Sequence, residues 1–178
     1  MSSATDHPQP GAAGLTPSVR RRLACWLYEG ALLFGVLVTA GLAYFIFAHW
    51  ISGLGPADVG DHPLLRSGFQ ATCFFSLGLY FIWFWARGQT LAMKTWHIRV
   101  VDKQGQALSY KLALLRYMAS WLWFMPPLLA TLVIGLPPRQ VALLTTVWVI
   151  LWALLSRLHP ERQFLHDALV GTRLVTHR

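Results

Sequence analysis

The stretch RRRLACWLYEGALLFGVLVTAGLAYFIFAHWI, residues 20–51, opens on three arginines and then runs from Leu23 to Ile51 with one carboxylate, Glu29, inside it. A helix needs about 20 apolar residues to cross a hydrocarbon core of about 30 Å, and this run exceeds that. Arginines ahead of an apolar run also open a signal peptide, whose apolar region is about 7–15 residues long. The greater length here reads as a retained transmembrane span. Residues 1–19, rich in Ser, Pro, Gly and Ala without a hydrophobic period, read as a disordered N-terminal tail.

Further apolar runs follow. Residues 69–86 carry no charge. Residues 117–136 contain Pro126-Pro127, which should kink or break the helix, because proline removes a backbone donor and clashes with the preceding turn. Residues 141–155 are short for a crossing. Leu136-Pro137-Pro138-Arg139 makes a tight connection, so 117–155 reads as a helical hairpin of two spans, with a re-entrant element as the alternative. Composition agrees. Of 178 residues 55% are hydrophobic and 12% charged, against about 25% charged in soluble domains. The formal charge of +8 raises nucleic acid as a partner, but no basic helix with interleaved aromatics accompanies it. Cys25 and Cys73 form neither a disulfide framework nor a CxxC motif.

Charge placement sets the orientation. Arg20, Arg21 and Arg22 precede the first span. Arg87, Lys94, Arg99, Lys103, Lys111 and Arg116 lie between the second and third. Arg157, Arg162, Arg173 and Arg178 follow the last, and only Arg66 and Arg139 lie in the other two loops. Thirteen cations on one face against two on the other place both termini in the cytoplasm, with the plasma (inner) membrane as the location. Trp26, Trp50, Trp85, Trp96 and Trp121 lie near span ends, where indoles favour the headgroup layer. On the cytoplasmic side, Thr95–Asp102 alternates and is β-branched, Lys103-Gln104-Gly105 supplies a turn, and Gln106–Ser109 can return as a second strand. Near the C-terminus, Pro160 starts a short amphipathic helix with Phe164, Leu165, Ala168 and Leu169 on its apolar face, and Gly171 stops it. Thr172–His177 reads as a further strand, expected to pair with Ile98–Val101. The fold class is therefore an all-α integral membrane protein of about four transmembrane helices (about 23–51, 69–86, 117–136 and 141–155), with a small cytoplasmic β element and a C-terminal amphipathic helix.

Four groups of residues resemble the RDD family of membrane proteins, named for one arginine and two aspartates: Arg22-Leu23, Gly88-Gln89-Thr90-Leu91, Ile98-Arg99-Val100-Val101-Asp102, and Gln163-Phe164-Leu165-His166-Asp167 followed by Gly171-Thr172. The resemblance makes residues 20–178 one RDD-like transmembrane domain. It implies that Arg22 is the family arginine and Asp167 the second aspartate, while Glu29 stands where the first is expected. Gln89 and His166 enter as supporting residues. Ala92, His97 and Ala168 stand where relatives often carry glycine, glycine and arginine. For activity the resemblance implies only that transport of an unidentified ligand has been suggested.

Arg22 and Glu29, seven residues apart, share a helix face about 10 Å apart along the axis. Helical side chains lean toward the N-terminus, so Glu29 leans toward Arg22 while Arg22 leans away, and a third group is needed. Asp167, on the polar side of an interfacial helix, is expected to pair with Arg22. A carboxylate at this depth is costly unless paired, protonated or hydrated. Two readings follow: a proton- or cation-binding site formed by Arg22, Glu29 and Asp167, or an interhelical anchor. The first makes the protein a carrier of a proton, cation or small solute, and the second a non-transporting scaffold or accessory subunit. His97, His159, His166, Asp167 and His177 fit no compact zinc spacing, and no nucleophile motif stands beside His166-Asp167. No metal, cofactor or enzymatic activity is expected. Ala31, Gly35, Thr39 and Ala43 form a small-residue stripe, expected to pack within the bundle. The partners expected are the lipid bilayer and either a homo-oligomer or a membrane partner subunit.

Overall fold

In the computed structural model, residues 16–155 and 164–176 are described. The tail expected over 1–19 and the helix start at Pro160 thus fall largely or wholly outside the described residues. The elements are α1 (Val19–Ser52), α2 (Pro56–Asp61), α3 (Pro63–Ala86), α4 (Leu91–Thr95), β1 (Ile98–Val101), α5 (Tyr110–Ser120), a 3-10 turn (Trp121–Trp123), α6 (Met125–Ile134), α7 (Pro138–Leu155), α8 (Leu165–Val170) and β2 (Arg173–Thr176).

Helix α1 starts where the Ser18 side chain accepts from the Arg21 amide, and it stops at Gly53, whose φ of 68° suits a left-handed C-cap. Helix α3 starts on Pro63, whose missing N–H costs nothing in a first turn. Among the described residues, α1 and α3 are long and apolar enough to cross a membrane, and only 11% of the most apolar window of each is buried. Phe34, Leu42, Ile46, Phe75 and Leu79 are all exposed along them. A helix of a soluble core would hide such residues; these two present them to lipid. The pair is antiparallel. Tyr80 of α3 reaches Glu29 of α1, and Tyr44 of α1 donates to the Leu65 carbonyl near the other end of α3 at 2.5 Å.

The run expected as one kinked span is broken earlier than its prolines. Helix α5 ends at Ser120, the chain turns through Trp121–Trp123, and α6 begins with Pro126 in its first turn. The prolines start a new helix rather than bend an old one. Helix α6 has 10 residues, about 15 Å of rise, and packs against α7. Helix α5 packs on α3, with the Tyr117 hydroxyl donating to the Phe74 carbonyl at 2.7 Å. Gly78 permits this approach, since a Cβ there would stand 3.0 Å from the Tyr117 ring. The stripe Ala31, Gly35, Thr39 and Ala43 does not pack within the bundle: all four are exposed on α1. It is Gly41, on the neighbouring face, that meets Phe69 of α3.

The sheet has two antiparallel strands, β1 and β2, paired Ile98 with Thr176 through Val101 with Arg173. The return strand expected at Gln106–Ser109 does not form. Asp102 folds the chain back through its side chain, which accepts from the Gln104 and Gln106 amides, and Ser109 caps α5. The polar side chains thus take the backbone groups that a hairpin would have used. The far edge of β1 is occupied as well: the Val100 amide donates to the Gly88 carbonyl at 3.0 Å, and Gln89 donates to the Ile98 carbonyl at 3.0 Å.

In an antiparallel ladder successive amides point to opposite sides. Because Val100 donates to Gly88, the Arg99 and Val101 amides face β2. Deleting residues 173–178 is expected to speed hydrogen exchange at Arg99 and Val101 by about tenfold or more, while Val100 changes little. Equal change at all three amides, or none, counts against this register.

Candidate functional site

Glu29 is buried within the first two turns past Arg22. Tyr80 donates to its Oε1 at 2.5 Å, and Thr90 donates to Oε2. Thr90 is the N-cap of α4 and accepts from the Met93 amide at 3.1 Å, so its hydroxyl is placed by a helix start. A carboxylate on the long apolar helix α1 is therefore held by two hydroxyls rather than by a hydrogen-bonded cation. Tyr80 and Thr90 carried no sequence signal of their own, although Thr90 stands in the Gly88–Leu91 motif.

Asp167 does not pair with Arg22. Its Oδ1 accepts from Nε of Arg116 at 2.8 Å and from the Thr172 hydroxyl at 2.9 Å. The carboxylate face of α8 turns inward, with Asp167 fully buried, while Leu169 points out. The expectation of an exposed polar side is reversed because Arg116 is itself buried, and a buried guanidinium needs a counter-charge. Arg116 also lies over the Trp85 ring, 4.0 Å from its centroid, so Trp85 is an interior partner rather than a headgroup anchor. By its position in the sequence Arg116 is one of the six cations between the second and third apolar runs. Its place seven residues into α5, on the face that carries Ala113 and Tyr117, was the available clue.

His166 sits beside this pair. Trp123 donates its indole N–H to Nδ1 of His166 at 2.9 Å, so Nδ1 must be unprotonated and the proton of the neutral ring lies on Nε2. Nε2 approaches Oδ2 of Asp167 at 3.5 Å, an electrostatic contact longer than a hydrogen bond. Burial drives the His166 pKa down to about 4, with Arg116 adding to the fall and Asp167 opposing it. Burial alone would raise the Asp167 carboxyl, but the charge of Arg116, the nearby His166 and the two hydrogen bonds outweigh it and hold the group below the usual carboxylate range.

Arg22 is buried, and its guanidinium stands over the Phe164 ring, 4.5 Å from the centroid. Its Nε and Nη1 donate to nothing among the described residues. The neighbouring Arg21 is spent differently, donating to the carbonyls of Trp96 at 2.6 Å and His97 at 2.8 Å. His97 has a φ of 52°. That left-handed backbone explains why glycine suits the position in the resembled family. Gln89 acts on strand β1 and not on the polar cluster.

These side chains line one cavity of about 420 Å³, to which Arg22, Glu29, Arg116 and His166 contribute the polar wall and Trp85, Phe81, Trp123 and Phe164 much of the apolar one. Among the described residues no group of three or more His, Cys, Asp or Glu could hold a metal ion. Comparison with protein families matches the RDD family over residues 16–171. The chain belongs to the RDD family. Comparison with curated proteins and with solved structures found no match. Family membership and the lipid-facing α1 and α3 together make it a helical membrane protein.

Removing one partner of a buried ion pair leaves the other charge uncompensated, at a cost of about 3–5 kcal/mol. Arg116→Ala and Asp167→Ala are each expected to lower the melting temperature in detergent, with the double mutant close to the worse single one. The Arg22→Ala and Asp167→Ala losses should come closer to adding, because Asp167 acts on Arg22 through its charge and not through a hydrogen bond. Additivity for Arg116 and Asp167 in the melting data speaks against the pair.

Proposed function

We propose that this RDD protein is a carrier that moves a proton, cation or small solute across the membrane, with Glu29 as the coupling carboxylate. One observation carries the reading: Glu29 is buried on the long apolar helix α1 yet lines the cavity shared with Arg22 and Arg116. A binding site requires a cavity beside its polar groups, and an ionisable residue inside an apolar span is a functional candidate by default. The reading involves no enzymatic step. A scaffold or accessory subunit is the second reading, favoured by the fact that both Glu29 oxygens and Oδ1 of Asp167 are already in hydrogen bonds within the fold.

The carrier reading includes four crossings, made by α1, α3, the α5–α6 segment and α7, in the plasma (inner) membrane. Both termini and residues 87–116 would be cytoplasmic, on the strength of the thirteen-to-two division of Lys and Arg. Four helices are few to enclose a path, so transport would involve a homo-oligomer or a partner subunit. Cysteines placed at Ser52 and Ser109 are expected to react from opposite sides of intact membranes. Reaction of both from one side rejects the topology.

Flux separates carrier from scaffold. In proteoliposomes the wild-type chain is expected to move protons or a monovalent cation, and Glu29→Gln, folded by circular dichroism, to lose about tenfold or more of that rate. Absence of wild-type flux for protons, alkali cations and a panel of small solutes favours the scaffold.

A further inference from the structure

Among the charged groups described in the cavity lining, the guanidinium of Arg22 is the one without a hydrogen-bond acceptor for its buried N–H groups. Arg116 has Asp167, and Glu29 has two hydroxyls. Arg22 is 3% exposed, lies over the Phe164 ring, feels the Asp167 charge without a hydrogen bond to it, and among the described residues leaves Nε and Nη1 without an acceptor although both are buried. A buried donor without an acceptor is costly, and a buried charged one more so. A planar fork of N–H groups on a cavity wall is the arrangement that receives a carboxylate or phosphate.

The remainder of the cavity says what the anion is attached to. Its walls are aromatic and aliphatic, and among its lining residues Trp26, Leu27 and Phe124 are exposed. Trp26 and Leu27 lie on α1, whose outer face meets lipid, so the mouth opens sideways toward the bilayer. A volume of about 420 Å³ holds on the order of a dozen heavy atoms, at about 30 Å³ for a group the size of a water molecule. That admits a headgroup and the start of a chain. The rest of a long chain would leave through the mouth and lie in hydrocarbon.

We propose that the cavity binds an anionic amphiphile, its phosphate or carboxylate head on Arg22 and its hydrocarbon chain passing out beside Trp26, Leu27 and Phe124. The inference takes its site from the carrier reading but does not require flux. Arg22 positions the head, Phe164 holds the guanidinium from below, and Gly30 leaves the passage open, since nothing lies within 4 Å of a Cβ placed there.

The test uses the full chain in nanodiscs of zwitterionic lipid, with binding followed by thermal shift and native mass spectrometry. Three probes separate the contributions: dodecyl phosphate carries head and chain, dodecanol the chain alone, inorganic phosphate the head alone. Dodecyl phosphate is expected to bind, and the other two at least about tenfold more weakly. Arg22→Gln should remove that preference and Arg22→Lys should keep part of it. Gly30→Leu, which touches no charge and meets no neighbour, should narrow the passage and weaken dodecyl phosphate about tenfold even if Arg22→Gln fails to fold. Equal binding of dodecanol means a greasy cleft, and equal binding of inorganic phosphate means a free-anion site; either overturns the proposal, as does no binding by any probe. Lost binding with intact flux rejects this inference alone, and intact binding without flux rejects the carrier reading alone.

Discussion

The buried contact between Arg116 and Asp167 is the constraint on which the half of the molecule that holds the sheet rests. Each ion alone would cost several kcal/mol to bury. Together, with the Thr172 hydroxyl on the same oxygen and the Trp85 ring under the guanidinium, they compensate much of that cost, while Oδ2 of Asp167 keeps only the longer contact with His166. The set decides where α8 lies, because a six-residue helix buries too little apolar surface to dock by packing alone. Helix α8 in turn carries Gly171, whose left-handed φ of 77° redirects the chain, and Thr172, which leads directly into β2. A charge pair between α5 and α8 thereby brings two strands together that are some seventy residues apart in sequence.

The first span was legible because hydrocarbon imposes a length and a composition that a local reading can measure. The β1–β2 pairing was legible for a related reason: two short β-branched segments cannot satisfy their backbones alone. Partner choice was not. Asp167 and Arg22 were marked out by resemblance, and helix geometry put them at a plausible common level. Nothing in a linear reading of charges showed that Arg116, counted among cations facing the cytoplasm, turns into the interior. The same limit applies to Glu29. Its depth could be estimated from the sequence, but Tyr80 and Thr90 reach it from α3 and from the start of α4, which only the packing of α1 against both elements brings close. Gln106–Ser109 failed for a local reason, since Asp102 offered its carboxylate to the very amides that a strand would have exposed.

Polar groups in this fold are consequently sorted by partner type. Cations that face the backbone, such as Arg21 on the Trp96 and His97 carbonyls, hold segments in place. The cation that faces a carboxylate fixes a helix. The one that lies over an aromatic ring, without a hydrogen-bonded carboxylate among the described residues, borders open space. The division follows burial and geometry rather than position in the arginine run, where Arg21 and Arg22 are neighbours.

The Thr90 hydroxyl has one hydrogen and serves two masters. It gives that hydrogen to Glu29 while its oxygen accepts the Met93 amide that begins α4. If Glu29 takes up a proton on the oxygen facing Thr90, two hydrogens meet in one contact, and the threonine must turn its own away and become an acceptor on that side too. The first turn of α4 then shares its cap with the acid. Helix α4 runs straight into the carbonyls that hold Arg21 and on into β1, so the protonation state of a group inside the long apolar helix α1 is written into the start of α4. The two compartments of the molecule are joined there by the bookkeeping of a single hydrogen atom.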